Sequence, residues 1–140
     1  FNTSPIYYDI WALSKAPFTF SYNHFTNNYT YHNIIAKYID HLLKQLPEDG
    51  LLSCISSFNG FSIYRTDKFL QSNYDGRPRP NLLPKSLLDQ HKKMTKSNII
   101  YKKYETLDGR YEDCEHRVFH ILAIKTADAK IRISPKILFY

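Results

Sequence analysis

Apolar residues recur along this chain with two different periods. From Asn33 onward, Ile34, Ile35, Tyr38, Ile39, Leu42, Leu43 and Leu46 fall at spacings of one, three and four, the stripe an amphipathic helix turns toward a core, and Pro47 and Gly50 close it. A second helix is predicted from Asp113, a good N-cap residue, through Lys125, with Val118, Phe119, Ile121 and Leu122 at helical spacing. Strands are predicted where aromatic and β-branched residues cluster or alternate: Ile6 to Leu13, Leu51 to Ser57, Phe61 to Tyr64, and Lys130 to Ser134, the last closed by Pro135. Asn59-Gly60 permits a turn or bulge with positive φ between the second and third of these. Thr66 and Asp67 start a short helix through Leu70.

The remaining segments lack a clear period. Phe18 to His32 is rich in Tyr, Asn and Thr and is read as an ordered loop with aromatic anchors. Asn73 to Pro84 holds Asp75-Gly76 and three prolines, which exclude a regular helix or a central strand. Ser86 to Tyr104 mixes helix and strand signals. Helices alternating with strands point to an α/β fold, a mixed sheet with flanking helices. With 140 residues, 43% of them hydrophobic, residues 1–140 fit a single domain, because neither side of the proline-rich break would bury much core alone. No apolar run approaches the ~20 residues of a bilayer-spanning helix. The chain opens at Phe1 without a signal-peptide pattern, so a fragment or processed product is expected, soluble and in either the cytoplasm or the secretory-pathway lumen.

Charge divides the chain. The net charge is +6, yet residues 1–75 carry 5 Lys/Arg against 6 Asp/Glu, and Arg77 to Lys103 holds 8 basic residues and one acid. Such a segment, with Tyr101 and Tyr104 in or beside it, suits either a solvated surface or a non-catalytic module that binds RNA or polysaccharide by stacking and phosphate contacts. Cys54 and Cys114 have no CxxC spacing, which excludes a zinc ribbon and a disulfide framework and leaves two reduced, partly buried thiols. HExxH, a Gly-rich phosphate loop and a GxSxG elbow are absent from the sequence, and their enzyme classes fall away.

The densest titratable set is Glu112-Asp113-Cys114-Glu115-His116 with His120. On a helix beginning near Asp113, positions 113, 116 and 120 share one face, opposite Val118 and Leu122. A carboxylate and two imidazoles in one stripe suit a general base or ligands to a divalent metal.

Three segments in order, Tyr8-Asp9-Ile10-Trp11-Ala12-Leu13, then Phe58-Asn59-Gly60-Phe61-Ser62-Ile63-Tyr64-Arg65, then Glu112-Asp113-Cys114-Glu115-His116, resemble the C-terminal part of glycosyltransferases with the GT-A, nucleotide-diphospho-sugar transferase fold. The likeness is to viral and microbial versions and covers most of the chain. It implies the acceptor-side portion of a larger Rossmann-like catalytic domain, whose donor half, with its Asp-x-Asp metal motif, would precede Phe1. The implied reaction moves a sugar from a nucleotide-sugar donor to a hydroxyl of a glycan or protein acceptor. By the same resemblance Asp113 is the general base, with Glu112 and Glu115 shaping its pKa. Asp9, Trp11, Asn59 and Gly60 then contact substrate, and a divalent cation, Mn or Mg, is completed by His116 or His120.

Overall fold

The structure, a computed structural model, describes residues 7, 9–19, 28–95 and 113–136, with no side chains described at 28–31 and 95. In chain order these form α1 (Asn28–Lys44), β1 (Leu52–Cys54), α2 (Thr66–Phe69), a 3-10 turn (Pro80–Leu82), α3 (Lys85–Thr95), α4 (Glu115–Ala127) and β2 (Ile131–Ile133). The fold is therefore mixed α/β. Its sheet is small: β1 and β2 pair antiparallel, with Leu52 opposite Ile133 and Cys54 opposite Ile131.

Helix α1 follows the apolar stripe. Ile35 and Ile39 are fully buried, with Tyr38, Leu42, Leu43 and Leu46 packed around them, whereas Ile34 falls on the exposed side. The helix begins at Asn28, inside the stretch read as loop, and residues 20–27 lie outside the described set. Behind Pro47 the chain reverses tightly. The Gly50 N–H donates to the Pro47 carbonyl at 2.7 Å, and a Cβ at Gly50 would stand 2.9 Å from that oxygen, closer than a side chain tolerates.

The main core joins α1 to Tyr7, Ile10, Leu13 and Phe18 from the N-terminal segment and to Leu52 and Ile133 from the two strands. A smaller cluster of Leu83 and Ile121, with Ile55, Leu82 and Leu88 against it, packs α4 on the region around α3. Helix α4 is buried on most sides: Arg117, Val118, Phe119, His120, Ile121 and Ala123 are all inside. It ends in Asp128, whose left-handed backbone (φ 49°, ψ 41°) turns the chain back, and the Ala129 N–H reaches the Ala123 carbonyl at 3.1 Å. The Lys68 ammonium from α2 caps the same end by donating to the Ala127 carbonyl at 2.6 Å.

The expected N-terminal strand is replaced by a turn. Asp9 Oδ1 accepts the Ala12 N–H at 3.1 Å and the Ile10 carbonyl accepts the Leu13 N–H at 3.2 Å, so an Asp side chain competes with the ladder an extended segment would need. Among the described residues the strand-type pairing left near this segment is isolated: Ser14 against Ser56 and Lys15 against Phe18. Phe61 to Tyr64 is not a strand either; Phe61 and Ile63 face outward, the latter 83% exposed. Ser86 to Tyr104 resolves as α3 up to Thr95, and 96–104 lie outside the described residues.

What holds the N-terminal segment is Arg117, which is 1% exposed. Its Nε lies 2.9 Å from Asp113 Oδ2 and 3.1 Å from Oδ1. Nη1 donates to the carbonyls of Leu13 (2.8 Å) and Thr19 (3.2 Å) and to Ser14 Oγ, and Nη2 donates to the Trp11 carbonyl at 2.5 Å. Thr19 in turn donates its N–H to His91 Nδ1 of α3 at 3.1 Å. A planar guanidinium with five donors suits this duty, because turns leave carbonyls unpaired that a sheet would have satisfied. Removing one partner of a buried ion pair leaves the other charge uncompensated. Arg117→Met is therefore expected to cost about 3–5 kcal/mol, read as a drop in the urea midpoint. Asp113→Asn destabilises too, and the double variant loses less than the two single losses combined. Additive losses would show the pair to be uncoupled.

Candidate functional site

The three segments singled out in sequence meet in space. Tyr7 Oη lies 3.0 Å from Ser57 Oγ and donates to the Phe58 carbonyl at 3.3 Å, and the Asp9 N–H donates to Asn59 Oδ1 at 3.3 Å. These bonds fasten the turn at residue 9 onto the loop at residues 57–60. That loop reaches α4 through a ring stack of Phe58 on His116, with centroids 4.2 Å apart and planes 22° from parallel. Tyr74 meets the edge of the same imidazole at 5.4 Å and stacks on Phe119 at 4.5 Å. The result is a half-buried polar patch over an aromatic floor, with Asp9, Asn59, Glu115 and His116 at its surface.

Helix α4 starts one residue later than the capping pattern implied, at Glu115, with Cys114 as its N-cap residue. The stripe expected to join Asp113, His116 and His120 is therefore not formed. Asp113 precedes the cap, is 2% exposed, and spends its carboxylate on Arg117 and on the Cys114 N–H at 2.8 Å. His120 faces inward from the next turn. Its Nδ1 lies 3.0 Å from Ser56 Oγ and its Nε2 3.0 Å from Tyr64 Oη, so both ring nitrogens are engaged and neither is aimed at the patch. Glu115 stays open, its side chain 53% exposed, with Oε1 3.3 Å from His116 Nδ1. Cys114 Sγ lies 3.9 Å from that same nitrogen. Glu112 falls outside the described residues.

The other residues expected to contact substrate are placed as follows. Asn59 sits in the patch, and Gly60 beside it is exposed with φ 83°, the left-handed geometry that the Asn-Gly pair foretold. Trp11 contributes its carbonyl to Arg117, and its buried indole N–H finds no acceptor among the described residues. Sequence reasoning missed Arg117 altogether. The available signal was an Arg four residues after an Asp in an otherwise apolar helix, the spacing of an i,i+4 ion pair.

Burial controls the electrostatics here. It raises the Asp9 carboxyl above its ordinary value, against the pull of the Ala12 N–H and the neighbouring His116. It pushes the Cys114 thiol up to about 12. It drives His120 down to about 3, with the positive charges of His116 and Arg117 acting in the same direction.

Away from the patch, Val118 and Leu122 face a cavity of about 330 Å³ that Asn73, Asp75, Arg79, Asn81 and Leu82 complete. Two of the basic residues of the charged segment are spent nearby. Arg77 and Arg79 bind Asp75 at 2.8 and 2.7 Å and hold its carboxyl down at about 2, so one of their two positive charges is offset there. No helix among the described residues is long and apolar enough to cross a membrane. No known protein family matches the chain, and neither a curated protein nor a solved structure matches it.

The buried His120 makes stability depend on pH. The unfolded chain takes up a proton below pH 6.5, whereas the folded chain resists it down to about 3. Stability is thus complete above pH 6.5 and is lost as pH falls through that interval. His120→Gln, which keeps hydrogen-bonding atoms but does not titrate, is expected to flatten the decline of urea midpoints between pH 7 and about pH 4. An unchanged slope would point to other groups.

Proposed function

We propose that this chain forms the acceptor side of a GT-A-type glycosyltransferase that moves a sugar from a nucleotide-sugar donor to a hydroxyl acceptor. The observation that carries the reading is the convergence of the three motif segments. The described parts of these segments, residues 9–13, 58–65 and 113–116, are remote in sequence, yet the Asp9–Asn59 hydrogen bond and the Phe58–His116 ring stack join them at one polar patch. A hydroxyl-rich ring suits that patch. Asn59 and Glu115 offer hydrogen-bonding groups, and aromatic faces pack on the apolar face of a sugar.

The transfer needs a base, because a neutral hydroxyl attacks poorly until its proton begins to leave. Asp113 is bound to Arg117 and buried, so its part here is positioning: it fixes Arg117 and through it the turn that presents Asp9. Asp9 takes the base role in this reading. Its Oδ1 is held by the Ala12 N–H while the group remains half-exposed. As the acceptor oxygen bonds to the anomeric carbon, its proton passes to the Asp9 carboxylate. The bond from that carbon to the diphosphate breaks, and the nucleoside diphosphate leaves with the electron pair.

The fold family implies Mn or Mg on the departing diphosphate. Those hard ions take oxygen ligands, whereas the donor group at this patch combines a thiol, an imidazole and one carboxylate. The residues do not fit that ion, and no step of the transfer is assigned to it.

The test is transfer from UDP- and GDP-hexoses to simple hydroxyl acceptors by the complete protein, read as nucleoside diphosphate release and product formation. Asp9→Asn is expected to lower kcat by roughly 10²- to 10⁴-fold with little change in KM and no loss of folding. Asp113→Asn is expected to lower activity together with the unfolding midpoint. Full activity in Asp9→Asn would remove that residue from the base role, and no transfer from any donor would remove the reading.

A further inference from the structure

The chemistry that Mn or Mg would not favour points to a different ion. The side-chain ligand atoms of Cys114, Glu115 and His116 all lie within 4.8 Å of one another. Two of the separations are short: Glu115 Oε1 to His116 Nδ1 is 3.3 Å, and Cys114 Sγ to His116 Nδ1 is 3.9 Å. A tetrahedral zinc site with bonds of about 2.0–2.3 Å places neighbouring ligand atoms roughly 3.3–3.7 Å apart. The third pair, Cys114 Sγ and the Glu115 carboxylate, lies within 4.8 Å, so closing the set on one ion takes up to about 1 Å of movement, which a rotamer change of the exposed Glu115 side chain supplies.

The arrangement is held in place before any ion arrives. Phe58 and Tyr74 fix the His116 ring from its face and its edge. Cys114 is held at the N-cap position in an extended conformation, φ −67° and ψ 123°, while its N–H is anchored on Asp113. Glu115 is the first residue of the helix and remains exposed, leaving a side open for entry.

We propose that Cys114, Glu115 and His116 form a three-residue site for a thiophilic divalent ion of the zinc type, with the fourth position open. Imidazole and thiolate select zinc or cobalt over magnesium, and a thiolate with a carboxylate balances the ion's charge. The helix N-terminus repels cations, but it favours the two anionic ligands that bring the ion in. Burial keeps the thiol protonated without a metal, and the ion displaces that proton when it binds.

The inference rests on this cluster and not on sugar transfer, so either can fail without the other. The reduced, metal-free protein is titrated with Co²⁺ and then with Zn²⁺, with Mg²⁺ as competitor. The expected result is one equivalent of cobalt with visible bands of a four-coordinate site and a near-ultraviolet thiolate charge-transfer band, displaced by Zn²⁺ and not by Mg²⁺. Zn²⁺ should also raise the melting temperature. Cys114→Ser is expected to abolish the charge-transfer band, and Cys54→Ser to keep it. Glu115→Gln, on an exposed side chain, should weaken Zn²⁺ by at least the roughly 10- to 100-fold that loss of a supporting group causes. If Cys114→Ser does not fold, His116→Ala decides by the loss of the visible bands. The proposal is overturned by the absence of a thiolate band in the parent protein, by its survival in Cys114→Ser, by displacement of cobalt by Mg²⁺, or by unweakened Zn²⁺ binding in Glu115→Gln.

Discussion

The buried guanidinium of Arg117 is the constraint on which the rest depends. One side chain on the first turns of α4 binds a carboxylate just before its own helix and the backbone carbonyls of Trp11, Leu13 and Thr19 about a hundred positions earlier. Thr19's carbonyl also accepts the Ser14 hydroxyl, but the carbonyls of Trp11 and Leu13 take donors from Arg117, and losing a donor to a buried carbonyl costs about 1–3 kcal/mol. Desolvating an arginine is itself costly. It is tolerated here because Asp113 neutralises it and the carbonyls take up its remaining donors. The same pair explains why Asp113 lies beneath the surface patch and not in it.

What the sequence revealed follows from the range of the interactions involved. Helix α1, the short α2, α4 and the final strand were legible because their signals are local: an apolar stripe, a Thr-Asp start, alternation ended by proline. The turn at Asp9 was not. Its residues have strand propensity, and the deciding terms are an Asp side chain bonding forward to Ala12 and an arginine far along the chain. Phe61 to Tyr64 also had strand composition, but β-propensity expresses a place in a ladder, and no strand pairs with this segment among the described residues. At the candidate site, Asn59 bonds to the Asp9 N–H and Glu115 stands beside His116, while Asp113 and His120 are drawn inside by Arg117, Ser56 and Tyr64. A helix wheel counts faces but does not know which face a core will claim.

Aromatic packing then sets the accuracy of the patch. His116 is clamped by Phe58 and Tyr74, Tyr74 rests on Phe119, and Phe119 meets Tyr64 edge-on at 5.4 Å. Tyr64 closes the chain of contacts on His120, which is bonded to Ser56, whose neighbouring backbone pairs with Ser14. Patch, helix and sheet edge are thus parts of one network. The high tyrosine content read from composition has a structural meaning here: Tyr7 gives its ring to the core, Tyr64 and Tyr74 pack their rings at its edge, and Tyr7 and Tyr64 also supply hydroxyls to polar partners.

The two polar systems at the start of α4 have opposite characters, and that difference separates stability from chemistry. Asp113 and Arg117 are each about 1% exposed at the side chain and fully engaged, so they exchange little with solvent and hold geometry. Cys114, Glu115 and His116 follow in the same stretch of chain, yet Glu115 is open and His116 is reached from the patch. A single helix start therefore turns one carboxylate inward as an anchor and the next outward with a thiol and an imidazole beside it. Because the anchor fixes the backbone from which the outward group projects, the precision of any ligand or ion held by Glu115 and His116 is inherited from the Asp113–Arg117 pair.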